Sequence, residues 1–256
     1  GNPEQVSVTA RFFNTPPGKE LVNKVVLTGD VGFAQYTLRT PVCELSLGDI
    51  IYVDKFASSP EDGLSWPTAF RTLQAALTRA DNGHEIWIAD GTYKPGPYNE
   101  DSFVIPDGVS VYGGFAGYGA PDPDERDWKR YKTILSGRIL SMPDGIGGEI
   151  VYRNSTVVTM GNNALLDGVT VEDGYLYGIY GNGNSFEIAN CIIANNQQRG
   201  INCENGNLTV QWCEVKDNGR YGIRHRGNGY LLIVENCKIY SNEWDGVYAD
   251  QSTSTI

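Results

Sequence analysis

The sequence predicts an all-β chain dominated by a right-handed parallel β-helix. Three observations predict it: a repeat of 22 to 24 residues, period-two runs of Ile, Val and Cys within each repeat, and Gly and Asn between those runs. Four segments superpose: Gly168-Val-Thr-Val-Glu-Asp173, Cys191-Ile-Ile-Ala-Asn-Asn196, Cys213-Glu-Val-Lys-Asp-Asn218 and Cys237-Lys-Ile-Tyr-Ser-Asn242, their first residues 23, 22 and 24 apart. A second register follows at Gly178-Ile179, Gly200-Ile201, Gly222-Ile223 and Gly246-Val247. The period alone also suits a leucine-rich repeat. That repeat wants several leucines and a helical return, whereas these coils carry β-formers separated by turn residues.

Each coil is expected to hold three short strands, stacked on the next coil at about 4.8 Å. Alternation points Phe186/Ile188, Leu208/Val210 and Leu232/Val234 inward on one sheet, Ile193, Val215 and Ile239 on a second, and Ile179, Ile201, Ile223 and Val247 on a third. Cys191, Cys213 and Cys237 read as an inward ladder of small apolar side chains, without the converging ligands of a metal site. Asp173, Asn196, Asn218 and Asn242 read as a companion ladder at a bend, suited to left-handed backbone and to hydrogen bonding between coils.

The regular coils run over 164–256, within a β-helix of residues 50–256. Ahead of them, Ile50–Val53, Glu85–Ala89, Ser102–Ile105, Val109–Tyr112, Ile134–Gly137 and Val157–Met160 read as strands. Between the first two, Phe70, Leu73, Leu77 and Ala80 fall at helical spacing, which predicts an amphipathic helix over about 66–80 with Ser65 as cap and Pro67 in the first turn. Such a helix would plug the N-terminal end of the stack, as the terminal caps of solenoids do. The glycine-rich run 113–119 lacks the spacing of a phosphate-binding loop. Residues 1–49 fit no such period and read as a small N-terminal β region of unassigned role, with strands at Val6–Thr9, Leu21–Leu27 and Phe33–Leu38.

The composition narrows function by exclusion. Net charge is −11 with no basic run, which gives no footprint for nucleic acid. No apolar stretch approaches the about 20 residues that span a bilayer, so membrane insertion is not expected. Five cysteines, three at one repeat position, do not form a disulfide framework. The chain opens Gly1-Asn2-Pro3 and its last coil carries no cap, so the reading is a processed or recombinant fragment, truncated C-terminally. Further coils of the parent chain, or a self-partner, would then cover that face.

Several segments resemble the secreted and cell-surface right-handed β-helix proteins of bacteria, within the pectate-lyase-like superfamily. They are Tyr52-Val53-Asp54, Gly63 with Ser65-Trp66, Ala69-Phe70, Leu73 to Leu77, Glu85 to Ala89, Gly91-Thr92-Tyr93, Val111 to Phe115, Glu125-Arg126-Asp127 and Thr133 to Gly137. The resemblance implies the solenoid and an extracellular or cell-surface address. Members that cleave acidic polysaccharides hold calcium in carboxylates beside a basic residue, and no outward aspartate column with a lone basic partner matches that pattern here. No catalytic residue is therefore assigned, and calcium remains a candidate cofactor only. Asp122, Asp124, Glu125 and Asp127 form the densest acidic cluster and a weak metal candidate, against a solvated loop self-paired through Arg126.

If the Ile179 column points inward, its successors point outward. Tyr180, Asn202, Arg224 and Tyr248 then form one exposed column, and Glu204, Arg226 and Asp250 a second. Tyrosine offers apolar area with a hydroxyl, arginine a planar donor fork, so this face is a candidate surface for polysaccharide or a cell-surface glycan. The alternating signs of the second column also fit plain cross-strand pairing. His225 is expected in the packed interior and His84 at the surface. Three functions follow: a non-catalytic carbohydrate-binding, adhesion or scaffold module; a calcium-dependent lyase or a glycoside hydrolase; and a self-assembling surface protein.

Overall fold

The computed structural model describes residues 5–10, 23–28, 49–144, 146 and 148–255. Backbone proximity divides the chain into two units, Gly1–Glu44 and Leu45–Ile256. In the first, Gln5–Ala10 pairs antiparallel with Asn23–Thr28, Val6 opposite Leu27 and Val8 opposite Val25. The third strand expected there, at 33–38, lies outside the described residues.

The second unit is a parallel β-helix with three sheets. Sheet 1 stacks Ile50–Val53, Glu85–Ala89, Ser110–Phe115, Ala164–Asp167, Phe186–Ala189, Leu208–Gln211, Leu231–Glu235 and Thr253–Thr255. Sheet 2 stacks Gly91–Tyr93, Thr133–Ser136, Val169–Glu172, Ile192–Ala194, Glu214–Lys216 and Lys238–Tyr240. Sheet 3 stacks Phe103–Ile105, Thr156–Met160, Tyr177–Asn182, Arg199–Glu204, Ile223–Arg226 and Val247–Asp250. From Glu85 on, each turn visits sheets 1, 2 and 3 in order, whereas the chain passes from Ile50–Val53 to Glu85–Ala89 within sheet 1. Ile179, Ile201 and Ile223 are in register and fully buried, as are Ile193 and Val215 on sheet 2 and Leu208 and Leu232 on sheet 1. Burying one such side chain stabilises by roughly 1.5–3 kcal/mol.

The corners explain the turn residues. Between sheets 1 and 2, Gly168, Asn190, Trp212 and Asn236 all have positive φ; between sheets 2 and 3, Asp173, Asn195, Asp217 and Ser241 do. The register corrects one expectation. Thr170 pairs with Ile192, so Val169, not Gly168, occupies the cysteine column, and Asp173 precedes the asparagine ladder rather than joining it. The ladder itself is Asn196, Asn218 and Asn242: Asn196 Nδ2 donates to Asn218 Oδ1 at 3.0 Å, and Asn218 Nδ2 to Asn242 Oδ1 at 2.9 Å. The left-handed backbone falls on the residue before each ladder asparagine. Cysteine repeats the device, with the N–H groups of Cys191 and Cys213 directed at the Sγ atoms of Cys213 and Cys237 at 3.4 and 3.5 Å. A Cβ on Gly178, Gly200 or Gly222 would meet the carbonyl oxygen of the next coil's glycine at 2.7, 2.7 or 2.6 Å, so this column admits no side chain.

The front is less regular than the sequence suggests. The expected helix over 66–80 is split into a 3₁₀ turn, Trp66–Thr68, and an α-helix, α1, Leu73–Arg79. Phe70 breaks it: its N–H donates to Tyr52 O and its carbonyl accepts from Asp54 N, both at 2.9 Å, so it is held extended beside Val53. Thr72, not Ser65, caps α1, accepting from Ala75 N at 3.4 Å. Ser65 makes no side-chain cap and pairs with the Thr68 hydroxyl. The apolar stripe behaves as expected, since Leu73, Ala76, Leu77 and Ala80 join the core that contains Ile51, Ile86 and Ile105. His84 is buried rather than exposed, because its Nδ1 accepts from Asp81 N at 3.0 Å just past α1. An antiparallel hairpin, Arg138–Pro143 with Glu149–Arg153, interrupts the coil between sheets 2 and 3. Its Leu140, Met142, Ile150 and Tyr152 are exposed.

Candidate functional site

The three outward faces of the coils differ in kind. On sheet 1 the columns read Leu165, Glu187, Thr209, Ile233 and Asp167, Ala189, Gln211, Glu235. On sheet 2 they read Thr170, Ile192, Glu214, Lys238 and Glu172, Ala194, Lys216, Tyr240. Sheet 3 carries Tyr180, Asn202, Arg224, Tyr248 in one column and Asn182, Glu204, Arg226, Asp250 in another, in the register that alternation predicts. A further column was missed: Tyr177 pairs with Arg199, and Gly200 N donates to Tyr221 O. Its signal in the sequence is position, since each residue directly precedes a glycine of the Gly178 column.

Aromatic rings and guanidinium groups crowd this face. Tyr177 and Tyr180 stack with centroids 4.9 Å apart and planes 14° apart, and Arg199 lies 5.4 Å from the Tyr177 centroid. Two coils on, Tyr221 sits 4.9 Å from Tyr248 and edge-on to Trp244 at 5.0 Å, while Arg220 covers Trp244 at 5.0 Å. The rings therefore lean on one another and on arginines, and Tyr177, Tyr180 and Tyr221 are half-buried. Burial raises the Tyr180 hydroxyl above the ordinary tyrosine range, so it stays neutral as donor and acceptor.

Between these clusters lies a ridge tied together by Arg224, in which the buried Asn202 Nδ2 is left without a partner among the described residues. Arg224 Nη1 donates to Asn202 Oδ1 at 3.1 Å and to Glu204 Oε1 at 2.6 Å. Asn202 was expected to be exposed, yet it is fully buried, because the longer neighbours in its column close over it. Burial is the largest influence on the Glu204 carboxyl and would raise it, but the hydrogen bond and charge of Arg224, with the neighbouring Asn202 amide and the charge of Arg199, together outweigh it and hold the group below the usual carboxylate range. In the outer column Arg226 pairs with Asp250 at 3.3 Å. Glu204, Arg226, Asn205, Gly227, Asn228 and Gln251 line a shallow polar depression at the corner leading back to sheet 1.

The interior residues below this face do no chemistry at the surface. His225, beside Cys203 in register, is fully buried with Nε2 2.8 Å from Gly206 O, and burial lowers its pKa. Burial pushes the Cys203 thiol up to about 12, so it is held as the thiol.

The acidic segment does not form a convergent site. Asp124 accepts from Trp66 Nε1 at 2.7 Å, Asp127 caps the N–H groups of Lys129 and Arg130, and Glu125 holds Arg130 and Tyr131. Asp122 accepts from Asp124 N, and among the described residues no group of three or more His, Cys, Asp or Glu side chains gathers as a metal site. Arg126 does not pair within its own loop: it reaches Asp167 and the carbonyl of Gly113, tying the loop to sheet 1.

Residues 146–256 match a family model described as a right handed beta helix region. Among solved structures, that of pectate lyase Pel9A is similar, with TM-score 0.51 and 19% identity, covering 78% of this chain and 55% of that one. The chain thus spans about half the length of that protein. No curated protein matches the chain. The fold is a right-handed parallel β-helix of the pectate-lyase-like type.

Proposed function

We propose that this chain is a secreted or cell-surface β-helix module that binds carbohydrate on sheet 3 without cleaving it, in an adhesion or scaffold role. One observation carries the proposal. Over the regular coils Tyr177, Tyr180, Tyr221, Trp244 and Tyr248 and the arginines 199 and 220 gather on sheet 3 and its leading corner. The outward columns of the other two sheets in the same coils carry one ring among the described residues, Tyr240, and the rings further forward on sheet 1, Tyr52, Trp87 and Tyr112, pack against Trp66 and Phe115. Aromatic edges, hydroxyls and guanidinium forks together match a glycan's mixture of apolar C–H and hydroxyl groups. The fold likeness to a pectate lyase supports a polysaccharide as the ligand class. A binding role is favoured over cleavage because the carboxylates of this face are engaged, Glu204 by Arg224 and Asp250 by Arg226.

A glycan array identifies the ligand, followed by incubation with polygalacturonate and calcium while ultraviolet absorbance is recorded. The proposal expects glycan binding that Tyr180→Ala weakens about tenfold or more, with no unsaturated product. Unsaturated product would make the chain a lyase. Absence of any glycan binding would remove the proposal.

A further inference from the structure

Each corner of the coils needs one residue in the left-handed region, and the chain fills these positions with residues that tolerate it. Between sheets 2 and 3 they are Asp173, Asn195, Asp217 and Ser241. Between sheets 1 and 2 they are Gly168, Asn190 and Asn236, and one exception, Trp212, at φ 53. A bulky aromatic residue in that region is strained, and Asn or Gly would relieve it. The strain is not offset by burial, for Trp212 is 52% exposed. Among the described residues no ring or cation stacks on its indole. Its backbone is held like that of its column neighbours, with Trp212 N donating to Glu235 O at 3.0 Å. The fold uses the backbone of residue 212 as it does that of Asn190 and Asn236, and half of the residue faces solvent.

We infer that Trp212 is a second carbohydrate contact, at the corner between sheets 1 and 2, taking the face of an uncharged pyranose. The indole offers apolar area for the C–H face of a sugar ring. Around it stand groups that bond hydroxyls: Asn236 one coil on, Asn190 one coil back with its Nδ2 donating to Asp167 Oδ2 at 2.9 Å, and the Gln211 amide, which donates to Glu235 Oε2 at 2.8 Å. Glu214 is paired with Lys216 at 3.0 Å, and Glu187, Glu214 and Glu235 still outnumber Lys216 and Lys238 on the flanking columns, which disfavours a uronate or sulfated sugar. Column neighbours that are amides, not apolar side chains, also set this corner apart from a protein-docking patch. The site is distinct from sheet 3 and stands whether or not sheet 3 binds a glycan.

The test uses ¹⁵N-labelled protein and the indole resonances of its five tryptophans, with the Trp212 signal assigned from Trp212→Asn. Cellohexaose, xylohexaose and mannohexaose are titrated, with trigalacturonate as the anionic probe. At least one neutral hexaose is expected to shift the Trp212 resonance. Trp212→Asn should weaken that hexaose at least tenfold while leaving the thermal midpoint unchanged or higher, and Trp212→Phe should retain part of the affinity. Tyr180→Ala should leave the Trp212 shift in place, which separates this site from sheet 3. The inference is overturned if no neutral hexaose moves the Trp212 resonance, if trigalacturonate alone moves it, or if Trp212→Asn lowers the midpoint, which would show the indole to be structural.

Discussion

The regular coils and the front of the β-helix bury the same kinds of side chain but secure them differently. In the coils the ladders that hold the core and the corners match like with like one turn away: Ile201 by Ile223, Asn196 by Asn218, Cys191 by Cys213. In the front, single contacts between unlike residues do that work, such as Phe70 against Tyr52, Trp66 against Asp124 and Arg126 against Asp167. Repetition makes the coil tolerant of what its surface carries, because the ladders sit inside and at the corners. The outward columns of sheet 3 are then free to gather aromatic and arginine side chains.

The largest expected effect is at the centre of a ladder. Ile223→Asp places a carboxylate without a partner in a fully buried column and should cost more than about 4 kcal/mol, seen as a large fall in urea midpoint or failure to fold. An unchanged midpoint would mean the column does not face inward. In the front, Leu77→Ala removes part of the plug formed by α1 and should cost about 2–3 kcal/mol, near the low end for buried leucine because the site adjoins the end of the core. If it cost as much as the first substitution, the end cap would be as central as the coil interior.

Next comes the asparagine ladder. Asn218→Ala removes the acceptor of the buried Asn196 backbone N–H and of its Nδ2, together with the Nδ2 donor to Ile193 O and Asn242 Oδ1, and should cost about 2 kcal/mol by chemical denaturation. Arg224→Ala should cost about 1–2 kcal/mol, since it frees Glu204 and removes one partner of the buried Asn202. An effect below measurement would show that this ridge is not a structural clamp. The smallest effect is a pH slope. His225 has its pKa lowered by burial, so the unfolded chain takes up a proton first as pH falls. Stability from this group is present above the unfolded value near 6.5 and declines below it. Wild type should therefore lose more stability between pH 7 and pH 5 than His225→Leu does, and equal losses would contradict the burial of a neutral imidazole.

The same contrast explains what the sequence made legible. Ile179, Ile201, Ile223 and the columns of sheet 3 could be placed because an alternation repeated four times fixes both face and register. The alignment slipped by one residue at Gly168, where the cysteine column begins as valine and no identity marks it. Phe70 and His84 could not be placed, since the bridge to Val53 and the bond from Asp81 N arise from contacts that occur once. The hairpin of 138–153 was hidden for the same reason. Asn202 was assigned to the right face but the wrong exposure: alternation gives direction, whereas cover depends on the lengths of neighbouring side chains in the next coils. Tyr177 and Tyr221 were overlooked because they stand before the glycine column, where alternation had not been extended.

Hydroxyl-radical footprinting with and without the glycan identified on the array tests most directly whether sheet 3 is the binding face. The account predicts protection of Tyr177, Tyr180, Tyr221, Trp244 and Tyr248, and none at Tyr240 on sheet 2, which is more exposed than the four tyrosines. Protection centred on Tyr240, with the sheet 3 tyrosines unchanged, would contradict it.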